Sequence, residues 1–284
     1  MTDGKRLWLI TNADSGSNAQ TAVQALEECL TENGLQICYR TRFPEEELPS
    51  PDMLDAAQVE IVAIFAGDGT LNAALNAVAG WVGKALILPG GTMNLLYRRL
   101  FGELELEQAI AQVGSGAALS CRPGVIRCET GTAYAGLLAG PGTAWNGVRE
   151  AIRASDLVDM TVEARAALEE TLAGPRVACT EPQLGDPAGY PLLLLNPGDS
   201  AIRVDAYHSE TTADYLAQSW ALLRRDFRDG PHTVLGKVDR LVIRSVTGES
   251  FGILIDGEPA EAKGMAEFVL ATAEVDMLSA AVHV

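Results

Sequence analysis

No stretch of this 284-residue chain approaches the ~20 consecutive apolar residues that span a bilayer. The opening MTDGKRLWLITNADSG holds too short an apolar run for a secretory leader. Cysteines are few and odd in number: Cys29, Cys38, Cys121, Cys128 and Cys179, with no C-x-x-C among them. A disulfide framework or a structural zinc site is not expected, and a reducing cytoplasm is the natural setting. Positive charge is scarce. Lys and Arg number 21 against 38 Asp and Glu, a formal net charge of −17, which disfavours nucleic acid and anionic membranes as nonspecific partners. The local basic clusters, Arg98-Arg99, Arg149/Arg153 and Arg224-Arg225/Arg228, read as solvated helix faces. His208, His232 and His283 are the only histidines and none has triad-like neighbours. Disorder is also excluded, because 48% of the residues are hydrophobic and the length allows one large domain or two modest ones.

What the chain does contain is one small device written twice. Residues 59–78 read VEIVAIFAGDGTLNAALNAV and residues 85–100 read ALILPGGTMNLLYRRL. Each runs from an apolar strand pattern through a glycine turn into Gly-Thr-x-Asn and a helical pattern. Gly69-Thr70-Leu71-Asn72 and Gly91-Thr92-Met93-Asn94 stand 22 residues apart. Strand, turn and helix N-terminus in that order favour an anion, because first-turn N–H groups and the helix dipole face the turn. Two such units on neighbouring strands suit a polyphosphate. Gly67 and Gly69 let backbone approach phosphate oxygens closely. Asp68 sits inside the first turn. A carboxylate there suits phosphates when a divalent cation lies between them, which makes Asp68 the candidate metal ligand. The plain alternative is an ordinary strand-to-helix turn with Thr70 and Thr92 as N-caps.

Strands are expected at 6–11, 35–41, 59–65 and 85–88, with helices at 18–33, 70–79, 92–101 and 105–113 and a short one after the acidic, proline-punctuated 43–52. Strands alternating with helices predict an α/β unit on a parallel sheet, with ligands at the carboxyl ends of its strands. Both Gly-Thr boxes fall at such ends. Beyond about residue 120 the pattern turns to short strands, with helical patterns only at 142–156 and 210–227 and an ambiguous 159–172. The expected organisation is therefore an α/β domain on a parallel sheet over 1–120, then a β-rich domain over 121–284. Trp8, Trp81, Trp145 and Trp220 read as core, and the apolar 133–145 as a buried strand and loop before an acyl groove.

Four boxes carry a family resemblance. Ala66-Gly67-Asp68-Gly69-Thr70 resembles the Gly-Gly-Asp-Gly-Thr nucleotide loop of the diacylglycerol kinase catalytic-domain family, whose relatives include sphingosine, ceramide and bacterial lipid kinases. NAD kinases and phosphofructokinases carry a related loop. Pro89-Gly90-Gly91-Thr92-Met93-Asn94 narrows the choice, because it resembles the Pro-x-Gly-Thr-x-Asn box of lipid kinases. Asn12-Ala13-Asp14-Ser15-Gly16 resembles the family's Asn-Pro-x-Ser-Gly box, and Asp256-Gly257-Glu258-Pro259 its late Asp-Gly-Glu element. Together they span about nine-tenths of the chain in the family order.

The resemblance implies a lipid kinase that uses ATP and Mg²⁺, with a nucleotide-binding α/β domain over 1–120 and a sandwich-like second domain over 121–284 whose end returns to the first. Nucleotide contacts fall on Asn12, Ser15, Gly67, Asp68, Gly69, Thr70, Asn72, Gly91, Thr92 and Asn94. It makes Asp256 the general base for the acceptor hydroxyl, with Glu258 supporting metal or water. Local sequence alone reads Ile255-Asp256-Gly257-Glu258 as a hairpin turn. The implied partner is a lipid such as diacylglycerol, ceramide or a sphingoid base, met by peripheral contact at the inner face of the membrane; a homodimer stays open, and no nucleic acid is expected. Departures are Ala66, Ala13 and Leu95, the last where many relatives carry Asp. In some bacterial diacylglycerol kinases that Asp belongs to a metal–water network bridging to the second domain, and the site loses its ligand here. Pro141-Gly142-Thr143-Ala144-Trp145 also lacks the Gly-x-Asp expected there. An NAD-kinase-like metabolite kinase and a non-catalytic nucleotide-binding regulator are the alternatives.

Overall fold

The computed structural model describes residues 4–12, 17–91, 94–140, 175–207 and 232–280, with backbone alone at 17–19 and 232. Ser15, Thr92, the 141–145 segment, Trp145, Trp220 and the helical patterns at 142–156, 159–172 and 210–227 lie outside these residues.

The chain divides into two compact units, Met1–Pro123 with Ala273–Val284, and Gly124–Thr272. The first unit runs β1 (Lys5–Asn12), α1 (Ser17–Glu32), β2 (Leu35–Phe43), α2 (Pro51–Ala56), β3 (Ile61–Ala66), α3 (Asp68–Ala77), β4 (Lys84–Pro89), α4 (Leu95–Phe101), α5 (Leu106–Ser115) and β5 (Leu119–Cys121). Its sheet order is β2-β1-β3-β4, continued by the late strand Asp276–Ser279 and then β5. The late strand pairs parallel with β4 and antiparallel with β5. All the other pairs are parallel.

The central strands are apolar without alternation. Leu7, Leu9, Ile10, Val62, Ala63, Ile64 and Ala85 through Leu88 are each at most 1% exposed. Such runs suit a parallel sheet covered on both faces. Along α3, Leu71, Ala74, Leu75 and Val78 recur at helical spacing and are all buried, so one stripe of the helix faces the core. Local chemistry sets the ends of other helices. Ser50 accepts from Met53 N at 3.4 Å with Pro51 in the first turn of α2. Glu105 and Gln108 close a capping box on α5.

The second unit is built of strands. They are β6 (Gly124–Cys128), β7 (Gly131–Ala133), β8 (Leu137–Gly140), β9 (Val177–Glu181), β10 (Gln183–Leu184), β11 (Leu192–Pro197), β12 (Ile202–Tyr207), β13 (His232–Val238), β14 (Arg240–Ser245), β15 (Phe251–Ile255), β16 (Glu258–Ala262) and β17 (Met265–Thr272), with β18 the late strand of the first unit. They form two antiparallel sheets, β10-β9-β14-β17-β6-β7 and β13-β12-β11-β8-β15-β16. Alternate side chains of both pack into one core: Ile126, Cys179, Leu241, Ile243 and Phe268 from the first, and Leu137, Leu193, Leu195, Val204, Phe251 and Ile253 from the second. The body is thus β-rich, as the short-strand pattern predicts, and sandwich-like, as the family resemblance implies. All four residues of β8 are buried, in keeping with a buried strand at the start of 133–145.

Candidate functional site

Three turns meet at the carboxyl edge of the parallel sheet. Asn12 ends β1, Gly67 follows β3, and Pro89-Gly90-Gly91 ends and follows β4. The register aligns Thr11 with Phe65 and Ala66 with Pro89, so the three turns leave adjacent strands at nearly one level. The strand order reverses between β1 and β3, the switch point where open α/β sheets place their ligands.

The glycines explain how closely the second and third turns approach. A Cβ on Gly90 would lie 2.4 Å from Ala66 N and 2.6 Å from Phe65 C. A Cβ on Gly91 would lie 2.6 Å from the Cα of Gly67. The Pro-Gly-Gly turn therefore packs backbone to backbone against the Gly-Asp-Gly-Thr turn. Gly67 differs, since a Cβ there would meet only the Cα of Gly91, at 3.8 Å. The fold does not need glycine at position 67.

The sequence repeat is not a structural repeat. Helix α3 begins at Asp68, before the first Gly-Thr-x-Asn, with Gly67 as an N-cap that offers no side-chain hydrogen bond. Thr70 is thus not the cap, and Asn72 sits one turn into the helix. Helix α4 begins only at Leu95, after the second tetrad, with Asn94 as its N-cap in the left-handed region at φ 52°. The reason is visible at Asn94. Its Oδ1 accepts from Gly91 N at 2.8 Å and its Nδ2 donates to Gly91 O at 2.9 Å. The amide closes a ring onto Gly91 just ahead of the helix that starts at Leu95. The expected helix over 92–101 is shortened accordingly, and its seven residues form less than two turns. At the first turn the helix N-terminus begins at Asp68, directly after Gly67.

Asn94 therefore has a measurable load. Asn94→Ala removes both bonds and leaves a Cβ in left-handed backbone, so a loss of about 2 kcal/mol is expected. Asn94→Gly removes the bonds but suits the backbone, and should lose roughly half as much. Urea melts that reverse the order, with glycine the weaker variant, would contradict the ring's role.

Asn72 has its Oδ1 2.9 Å from the Nδ2 of Asn76, which donates to it along α3. Asp68 is half-buried in the first turn, where the helix dipole favours its charge. Among the described residues no group of three or more His, Cys, Asp and Glu could hold a metal by itself.

Asp256 and Glu258 stand in the second unit. They flank Gly257 at the tip of the β15–β16 hairpin, where Ile255 pairs with Glu258. Asp256 and Gly257 both have positive φ, 47° and 89°, the backbone of a two-residue hairpin loop. The hairpin that local sequence predicts is present. Asp256 is only 4% exposed, and its carboxylate accepts backbone N–H groups from Tyr134, Ala135 and Gly136 at 2.7–2.9 Å. Sequence reading gave no hint of this, because the partners lie 120–122 residues away.

Two buried groups outside the three turns have displaced pKa values. Burial, with Glu105 and Glu107 nearby, pushes Tyr97 up to about 12. Burial alone pushes Cys179 up to about 12. Neither is an acid–base group at neutral pH. A cavity of about 450 Å³ opens at the opposite, amino edge of the sheet, lined by Lys5, Glu60, Trp81 and Lys84 among others.

Fold and turns together define an α/β unit, with three turns at one edge of its parallel sheet, joined to an antiparallel two-sheet body. Residues 6–124 match the family model described as the diacylglycerol kinase catalytic domain. A comparison with curated proteins finds no match. Solved structures share the fold over nearly the whole length. One is a Bacillus anthracis str. Sterne protein provisionally described as a diacylglycerol kinase, 15% identical, with TM-score 0.62, covering 98% of this chain and 99% of its own. Another is a diacylglycerol kinase of the same strain, 16% identical, with TM-score 0.61 and 98% of both chains covered. Among the described residues no helix is long and apolar enough to cross a membrane.

Proposed function

We propose that the chain is an ATP- and Mg²⁺-dependent lipid kinase that transfers the γ-phosphate to a hydroxyl of diacylglycerol, ceramide or a sphingoid base. The observation that carries this reading is the family match over residues 6–124, coinciding with the three turns at one edge of the parallel sheet. The first-turn N–H groups of α3 and the backbone around Gly67 would bind phosphate oxygens. Asn12 would border the same edge, and Ser15, Gly69, Thr70, Asn72, Gly91 and Thr92 complete the nucleotide set that the family suggests. Asn94 would act from behind, by shaping the second turn. Asp68 suits a cation whose other ligands are phosphate oxygens and water, the way Mg²⁺ is usually held. Bound there, Mg²⁺ would neutralise charge on the transferred phosphoryl group. Glu258, half-buried at the exit of the hairpin, is the candidate for supporting metal or water. The protein would visit the inner face of the membrane only peripherally, since its charge of −17 opposes anionic lipid.

Radiolabelled ATP offered with detergent-dispersed diacylglycerol, ceramide, sphingosine and polyprenol tests the proposal. Label should appear in one lipid class, and detergent or vesicles should raise the rate. Label in NAD and in none of the lipids would establish the metabolite-kinase alternative. ATP binding with no turnover across the panel would leave a regulator.

A further inference from the structure

The amino edge of the parallel sheet, opposite the three turns, holds chemistry that those turns do not use. Two lysines, Lys5 and Lys84, line the cavity of about 450 Å³ that opens there. We propose that this cavity binds a small organic monoanion, a carboxylate on a compact apolar body, with Lys84 and Lys5 as its charge partners. Every residue involved belongs to the first unit, and none of them serves the lipid-kinase reading.

Strand register puts both lysines on one face of the sheet. Leu7 pairs with Ile61, and Ile61 pairs with Lys84. Partners in a parallel ladder point the same way, and so do residues two apart on one strand. Lys5 therefore shares the face of Ile61 and Lys84. Leu278 shares it too, because Lys84 also pairs with Asp276. Ile61 and Leu278 are buried and give that face an apolar floor. Strand spacing sets the two lysine Cα atoms about 12 Å apart. Each side chain spans roughly 6 Å, so one anionic group between them is within reach of both. Lys5 Nζ donates to Val113 O, at the end of α5, at 2.7 Å and keeps two more protons to give. Lys84 is exposed and has no side-chain partner among the described residues. The cavity also holds two carboxylates, but they bond elsewhere. Asp55 accepts from Trp81 Nε1 at 2.9 Å and Glu60 accepts from Arg6 N at 3.3 Å. Neither forms an ion pair with Lys5 or Lys84, so both ammoniums lack a counter-ion here. The wall is built before any ligand arrives. Trp81 is 2% exposed, and its ring lies so close over Gly83 that a Cβ there would overlap it. A pocket of this size with an apolar lining and a few fixed polar groups suits a small molecule. Val82, 85% exposed in the same lining, offers the apolar body a further contact. Asp55 and Glu60 would repel a dianion such as phosphate, which selects a single negative charge.

Three probes of one shape and different charge test this on the full chain: phenylacetate, phenylacetamide and phenethylamine, each titrated by calorimetry. Phenylacetate should saturate, the amide should bind at least tenfold more weakly, and the amine should not bind. Lys84→Met keeps the apolar stem and removes the charge. It should weaken phenylacetate at least tenfold and leave the melting temperature near that of the parent, since the ammonium of Lys84 bonds to nothing in the described residues. Lys5→Met should weaken phenylacetate as well, and should melt a few degrees lower because its bond to Val113 O is lost. Amide NMR shifts on adding phenylacetate should centre on Ile61, Val82, Lys84 and Gly116 and spare Gly67 and Gly91. The proposal is overturned if phenylacetate does not saturate, if the three probes bind alike, or if Lys84→Met keeps parental affinity. Shifts confined to Gly67 and Gly91 would overturn it too, by placing the anion at the other edge of the sheet. Should Lys5→Met fail to fold, Lys84→Met and the shifts on the parent protein still decide.

Discussion

Asp68→Asn is expected to reduce turnover by at least ~100-fold, roughly 3 kcal/mol of transition-state stabilisation, with little change in stability. Asparagine keeps the size of the side chain and one oxygen but removes the charge. If Asp68 holds a cation against phosphate oxygens, the charge is what matters, and charge neutralisation is most of what phosphoryl transfer asks of a protein. The folding cost is bounded. Asp68 lies in the first turn of α3, where a carboxylate gains about 0.3–1 kcal/mol from the helix dipole. A loss of that order shifts the melting temperature by no more than a few degrees in a chain of this size. Nucleotide binding should become insensitive to Mg²⁺, a readout independent of turnover. If the variant keeps its rate, Asp68 has no metal role. If rate and stability fall together, Asp68 serves α3 instead.

The fold was legible where burial is two-sided. Strands over 6–11, 59–65 and 85–88 announce themselves as unbroken apolar runs because the parallel sheet is covered on both faces. The strands β10, β13 and β16 all lie at sheet edges. An edge strand has one partner and needs less of the strand pattern. The sequence of β16, Glu258–Ala262, is EPAEA, and a proline is tolerated at such an edge. At the site, the strand-turn-helix logic placed the turns but mistook their internal shape. Gly-Thr-x-Asn looks alike in both copies, yet Asn94 spends its amide on Gly91 ahead of the helix that starts at Leu95, while the first copy lies inside a helix that starts at Asp68. That choice depends on how the two turns pack together. The bonds from Tyr134, Ala135 and Gly136 to Asp256 were out of reach for the same reason: a backbone N–H carries no sequence signature.

The glycines of the two turns should separate packing from ligand contact. Gly90→Ala is expected to be among the most destabilising single substitutions in the first unit. Its Cβ would meet Ala66 N, Phe65 C and Ala66 Cα at 2.4, 2.6 and 2.9 Å, all backbone atoms that no rotamer change can clear. Overpacking of this kind costs about 1–3 kcal/mol or more, and here it pushes directly on the end of β3 and the start of α3. Gly91→Ala meets one close atom, the Cα of Gly67 at 2.6 Å, and should cost less than Gly90→Ala. Gly67→Ala meets nothing nearer than 3.8 Å, and its φ of −75° suits any residue, so its melting temperature should stay near that of the parent. If Gly67 is glycine because a phosphate approaches its backbone, the alanine variant will fold normally and bind ATP at least tenfold more weakly. Thermal melts beside nucleotide titrations read both quantities on all three variants. Parental ATP affinity in Gly67→Ala would remove this residue from the nucleotide site, and parental stability in Gly90→Ala would contradict the packing of the two turns.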